Sequence, residues 1–387
     1  MNIVTASRLD TLPKQFFSTM VSNVQKVVQA GHDVINLGQG NPDLPTPPHI
    51  VESLREEILD PATHKYPPFS GLFELKAAVA QWYRVEFGVE LDPQREVSIL
   101  FGGKTGLVEI CQCLLEPGDV CLMPDPGYPD YWSGVKLAGG EMHGMPLLRE
   151  NDFLPDYSAI PKEQLAKAKM MFLNYPNNPT SAVAPLSFYE DTVRFAEQNN
   201  IVVAADFAYG AFGFDGEKMI SFLQTPGAKE VGVEFYTLSK TYNMAGWRVG
   251  FAVGNADVIR AIDLIQEHWF VSIPSFIQRA AVTAITSPQD CVRELAAVYE
   301  RRRDVFVGGL NKAGWDIPVP RGSFFTWVPV PKGYTSVSFA EKLLHEAHIA
   351  VAPGNGFGTH GEGYVRVGLL ASEERLQEAV ERILRVI

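Results

Sequence analysis

The chain has 387 residues, 46% hydrophobic and 20% charged, a balance that excludes a disordered chain, a coiled coil and a collagen-like repeat. Lysine and arginine total 33 against 45 aspartates and glutamates, a formal charge of −12, which argues against binding a nucleic-acid backbone by neutralising it. Its 4 cysteines lack metal-ligand spacing, and neither an export signal nor a bilayer-spanning apolar run is visible, so a reduced, cytoplasmic protein without a membrane partner is expected.

The opening segment carries LPKQFF and then VINLG before a proline-rich turn; it is too short to fold alone and is expected to pack against a later unit. From Val97 to Val253 short apolar runs alternate with helix-like segments, which predicts an α/β domain with a mostly parallel sheet flanked by helices. The predicted strands are Val97 to Phe101, Val120 to Met123, Met170 to Asn174, Ile201 to Asp206, Phe235 to Leu238 and Val249 to Val253. Several are apolar on successive residues, as strands covered on both faces are. A helix-rich stretch from Asn255 to Gly314, two strands in FFTWVPV and GYVRVGLL, and an amphipathic segment from Ser372 to Ile387 read as a smaller α+β domain.

Three motif-like patterns fail on context. Gly356, Gly358 and Gly361 spell a dinucleotide fingerprint, yet a strand-like run follows where a helix N-terminus is needed. Gly103, Lys104 and Thr105 resemble the tail of a P-loop, but the glycine expected five residues before Gly103 is Ser98. His345 and His348 share a helix face with no further ligand pattern, so no metal is assigned.

The informative pattern is a set of polar residues where apolar strands end. NYPNNPTS, DFAYG and SKTYNMAGWRVG follow three consecutive strands and present Asn178, Asp206 with Tyr209, and Lys240 with Arg248. Ligands of open α/β sheets bind at the carboxyl ends of strands. A carboxylate, a phenol, an amine and a guanidinium converging there are the groups pyridoxal 5'-phosphate needs: an amine for its aldehyde, a carboxylate to keep the pyridine nitrogen protonated, and a guanidinium with backbone amides for its phosphate. Gly102 and Gly103, between a strand end and a helix start, suit the last task.

On these residues the sequence resembles the class I/II aminotransferases, fold-type I enzymes dependent on pyridoxal 5'-phosphate. Their lysine motif is matched by TLSKTYNMAGWRVG, which implies that Lys240 carries the cofactor, that Arg248 holds its phosphate, and that Thr237 and Ser239 are cofactor contacts. The turn at Asn178, Pro179 and Thr180 matches the family's N-P-T-G, with Asn178 and Tyr209 on the cofactor's phenolic oxygen and Asp206 on its ring nitrogen. Gly103 and Lys104 match the phosphate-cradling amides, and Tyr128 in PDPGYPDY matches the ring stacked on the pyridine. Tyr66 matches a tyrosine that reaches the neighbouring subunit's phosphate; Gly40 and Arg366, with Asn178, match the substrate-carboxylate site.

The resemblance covers nearly the whole chain and implies a seven-stranded large domain (46–285), a small C-terminal domain (286–387), an N-terminal segment (1–45) packing with the latter, and a homodimer with shared active sites. The catalytic set is Lys240, Asp206 and Tyr209. Three positions depart from the family pattern: Ser181 for its glycine, Thr237 for the commoner serine, and Tyr128 for the tryptophan of aspartate-specific members. Within the family the likeness is strongest, over NLGQGNPDLPTPPHIV, FGGKTGLVEICQCLL, PDPGYPDYWSGV and SFLQTPGAK, to the methionine-salvage branch, which aminates 4-methylthio-2-oxobutanoate. The pocket wall is expected from loops of both subunits; the segment HWFVSIPSFIQ, which precedes the small domain, is mostly apolar and aromatic, supplies no second cation and agrees with that branch. Aspartate, alanine or aromatic aminotransferases and carbon–sulfur lyases share the cofactor residues and stand as the alternatives.

Overall fold

The structure, a computed structural model, describes residues 1, 3–13 and 16–387; Lys14 and Gln15 of the LPKQFF run lie outside them. A short strand, β1 (Ile35–Asn36), precedes the central sheet of β2 (Val97–Leu100), β3 (Val120–Asp125), β4 (Glu141–Pro146), β5 (Ala168–Asn174), β6 (Val202–Asp206), β7 (Gly232–Thr237) and β8 (Gly250–Gly254). Its spatial order is β2-β8-β7-β6-β5-β3-β4. Only β8 runs against its neighbours; the other pairs are parallel.

Successive strand residues enter different cores, which is why the runs are apolar throughout. On β6, Val203 and Ala205 belong to one cluster and Ala204 to the other. The first layer is closed by helices at Phe73–Phe87, Leu186–Asn199 and Ser275–Thr286, through residues such as Tyr83, Val193 and Ala284. The second is closed by α1 (Gly103–Leu114), α2 (Asp130–Ala138) and α3 (Ala256–Trp269), through Ile110, Tyr131 and Ile262. Strand β4 has no counterpart among the runs read from sequence. It is an edge strand whose EMHGMP leaves Glu141 and Met142 exposed, so it lacks an apolar signature.

The smaller unit holds β9 (Phe325–Pro329), β10 (Ile349–Ala350), β11 (Ala352–Pro353) and β12 (Tyr364–Gly368), with helices α4 (Asp290–Lys312) and α5 (Glu373–Val386). Strands β11, β12 and β9 form an antiparallel sheet, while β1 pairs in parallel with β10. Ile35 and Leu37 of the opening segment thereby join Phe306, Leu376 and Ile383 in one core. Gly356, Gly358 and Gly361 lie in or beside two 3-10 turns ahead of β12, without the helix a dinucleotide site requires. Among the described residues no helix is long and apolar enough to cross a membrane.

Candidate active site

Because β5, β6 and β7 are parallel neighbours, their carboxyl ends bring Asn174, Asp206 and Thr237 to one edge of the sheet. A cavity of about 460 Å³ opens there, lined by Lys240, Asp206, Tyr209, Asn178, Arg248 and Arg366. Gly40, Gly103, Lys104, Tyr128, Thr237 and Ser239 also face it. Tyr66 does not line it and has 90% of its surface exposed.

Lys240 stands on a single helical turn, Leu238–Thr241, directly after β7, and its Nζ donates to the Gly40 carbonyl at 2.8 Å. Burial pulls its pKa down to about 8; Arg366 and Arg248 push in the same direction and Asp206 opposes them. The amine is therefore much easier to deprotonate than a surface lysine. Asp206, at the end of β6, is buried. Its Oδ2 accepts from Tyr131 Oη at 2.7 Å and its Oδ1 from the Ala208 N–H at 3.2 Å. Burial raises this carboxyl to about 6 against those two hydrogen bonds and the Lys240 charge. A cation beside it would favour the ionised form further.

The anion-binding corner is built on bare backbone. Gly102 has φ 78°, and a Cβ added there would lie 2.2 Å from Arg248 Nη2, so only glycine admits the guanidinium. Arg248 is itself left-handed at φ 58° and is held by donating from Nη1 to the Ala245 carbonyl at 3.0 Å. A Cβ at Gly250 would meet the Gly103 nitrogen at 2.8 Å, so a second glycine lets the loop approach the sheet. Helix α1 begins at Gly103, leaving its first N–H groups for an anion. Thr237 Oγ1 bonds Ser239 Oγ at 2.9 Å, while Lys104 turns its ammonium to Asp130 at 2.9 Å and offers the corner its backbone rather than its charge.

Opposite this corner, Arg366 on β12 donates to Asn178 Oδ1 at 2.8 Å and to the Gly38 carbonyl at 2.9 Å. Its guanidinium lies between Phe325 and Phe357, 4.1 and 4.7 Å from the ring centroids. Burial lowers its pKa to about 10, which leaves it charged near neutrality. Ser181 occupies a left-handed position, φ 61°, that explains a glycine there; its hydroxyl donates to the Phe325 carbonyl at 2.6 Å and ties this turn to β9.

Two features of the site escape a reading of the sequence. Tyr131, three residues after Tyr128, is the phenol that engages Asp206, and PDPGYPDY alone does not say which tyrosine does so. The segment 268–278 does not line the cavity of the single chain; Met20 and Val21, from the opening helix, do. That helix ends far from the strand-end motifs in sequence, so periodicity gives no hint of its placement.

The corner of bare backbone with Arg248, the buried carboxylate and the depressed amine fit pyridoxal 5'-phosphate, each at a distinct part of one cavity. The model of aminotransferase class I and II matches residues 32–383, and this chain belongs to that family, whose members depend on pyridoxal 5'-phosphate. It is a transaminase. Over 375 residues it is 61% identical to the L-glutamine--4-(methylsulfanyl)-2-oxobutanoate aminotransferase of Bacillus subtilis (strain 168), with 97% of this chain and 94% of that one covered. It is 47% identical to the LL-diaminopimelate aminotransferase of Moorella thermoacetica (strain ATCC 39073 / JCM 9320), across 99% of this chain and 98% of that one. Among solved structures, substrate-bound BacF from Bacillus subtilis superposes with a TM-score of 0.95 at 47% identity, covering 100% and 98% of the two chains.

Proposed function

We propose that this transaminase forms methionine from 4-(methylsulfanyl)-2-oxobutanoate, with an amino acid such as glutamine as donor. The observation that carries the substrate is a count of cations: among the described residues the cavity is lined by Lys104, Lys240, Arg248 and Arg366 alone. Lys104 is turned to Asp130, and the other three are assigned to the cofactor and the α-carboxylate, so the chain supplies its own cavity with no further cation for a dicarboxylate's second charge. Met20 and Val21 offer instead the soft apolar wall a thioether prefers. The 61% identical relative named for that substrate supports the same choice.

The residue roles follow from the chemistry of the donors. Arg248, Thr237, Ser239 and the amides of Gly103 and Lys104 would hold the phosphate; Tyr128 would cover the ring; Asn178 and Tyr209 would serve the phenolic oxygen; and Asp206 would keep a proton on the ring nitrogen. When bound, the cofactor supplies a carbonyl carbon for amines and a protonated ring that accepts electrons from the substrate's Cα. Lys240, able to exist as the free amine near neutrality, would take the proton from the substrate's Cα at its Nζ. Arg366 and Gly40 hold the α-carboxylate, with Asn178 fixing the guanidinium from the side.

The exposed Tyr66 has no task in one chain, and we assign it to the phosphate of the neighbouring subunit in a homodimer. We divide the chain into 1–45, 46–285 and 286–387; the β1–β10 pairing supports placing the first segment on the small domain. Free cysteines at 111, 113, 121 and 291 agree with a cytoplasmic setting. The substrate is tested by kcat/KM for 4-(methylsulfanyl)-2-oxobutanoate, oxaloacetate and phenylpyruvate, all with glutamine. The first is expected to lead by about tenfold or more. An equal or greater value for oxaloacetate contradicts the assignment, and ammonia release without an acceptor would mark a lyase.

A further inference from the structure

We propose that Asp125 and His360 are positioning residues that dock the turn before β12 onto the loop bearing Tyr128 and thereby hold Arg366 in place for the substrate. The proposal rests on the reading that Arg366 grips the α-carboxylate.

Asp125 is the last residue of β3, three positions before Tyr128. Its Oδ1 accepts from the His360 backbone N–H at 3.0 Å and its Oδ2 from His360 Nδ1–H at 2.8 Å. Alongside, the Gly127 N–H donates to the Phe357 carbonyl at 2.8 Å. Gly358, at φ 136°, is bare where a Cβ would sit 2.1 Å from Asp125 Oδ1, so the carboxylate lies directly on the backbone of the turn. Three hydrogen bonds therefore join the smaller unit to the large one at a single point.

That point is next to the site. Phe357, within the docked turn, is fully buried, and its ring centroid is 4.7 Å from the Arg366 guanidinium, on which Phe325 also packs at 4.1 Å. Phe325 belongs to β9, the strand paired with β12; Phe357 is tied to the large unit by the Gly127 N–H on its carbonyl, beside the Asp125–His360 pair. The guanidinium is thus aligned against an aromatic wall whose position His360 and Asp125 set. An ordinary surface pair of polar side chains contributes little and specifies nothing. This one uses both oxygens of a carboxylate whose side chain is only 15% exposed, one of them on backbone, and so fixes orientation as well as contact.

The test compares the holoenzyme variants His360→Ala, His360→Asn and Arg366→Lys, with KM and kcat for both substrates and the cofactor's absorbance and dissociation constant as readouts. The His360 side chain is 40% exposed, so its removal leaves no buried void. His360→Ala is expected to raise both KM values by about tenfold with kcat and cofactor affinity within about twofold of the parent. His360→Asn, whose amide can replace the Nδ1–H donor, should recover most of that loss. Unchanged KM values in His360→Ala, cofactor loss in step with activity, or an Asn variant no better than Ala would overturn the proposal. Arg366→Lys separates the two levels: a large KM rise there with none in His360→Ala refutes the dock alone, whereas no rise in Arg366→Lys refutes the carboxylate reading and the dock with it.

Discussion

Tyr131 donates a 2.7 Å hydrogen bond to Asp206 and stacks on Phe172 with ring centroids 4.4 Å apart and planes 7° from parallel. The phenol cannot turn away, because stacking fixes its ring and burial denies it water. Its hydrogen bond is the larger of the two that restrain the upward push of burial on the Asp206 carboxyl. Asp206→Asn, which no longer favours a protonated ring nitrogen, should lower kcat by about 100-fold or more, and Tyr131→Phe by a smaller factor, about three- to tenfold. Steady-state kinetics read both, and the ranking is the prediction: Tyr131→Phe as damaging as Asp206→Asn would contradict it.

The Lys240 amine, pulled down to about 8 by burial, sets a pH dependence in the apoprotein. Only the free amine attacks an aldehyde, and lowering the pKa enlarges that fraction at every pH below the ordinary lysine range. The rate of cofactor capture, followed by absorbance, should therefore rise with pH and level off past a midpoint near about 8. A midpoint near the ordinary lysine value of 10.5 would show that the cavity does not perturb the amine.

Tyr66 offers a test of assembly. Lys240→Ala and a severe Tyr66 variant such as Tyr66→Ala should each be inactive, yet a mixture allowed to exchange subunits should regain activity, since one of the two sites in a heterodimer carries neither lesion. At full statistical exchange about a quarter of the sites are intact. A demonstrated heterodimer without activity would place both residues in one subunit's site.

Most of the reactive set was legible from sequence because it sits at strand ends, where an apolar run stopping at a polar residue marks both the fold and the site. Asp206 after VVAA and Lys240 after FYTL are examples, and both occupy those places. What could not be read depends on distant packing. Strand β4 has too little apolar character to announce itself, Met20 reaches the cavity only because its helix packs beside Gly38, and Tyr131 differs from Tyr128 only in what lies beneath it. The segment 268–278 does not line the cavity of the single chain, and an apolar sequence says that a segment is covered, not by what.

The most direct test of the account is to reduce the holoenzyme with borohydride and map the labelled peptide. The reduced cofactor should be recovered on Lys240 within the TLSKTYNMAGWR region and nowhere else, with Lys240→Ala unlabelled. Recovery on Lys104 or any other lysine, or equal labelling of Lys240→Ala, would contradict the assignment of the reactive amine and with it the roles built around that residue.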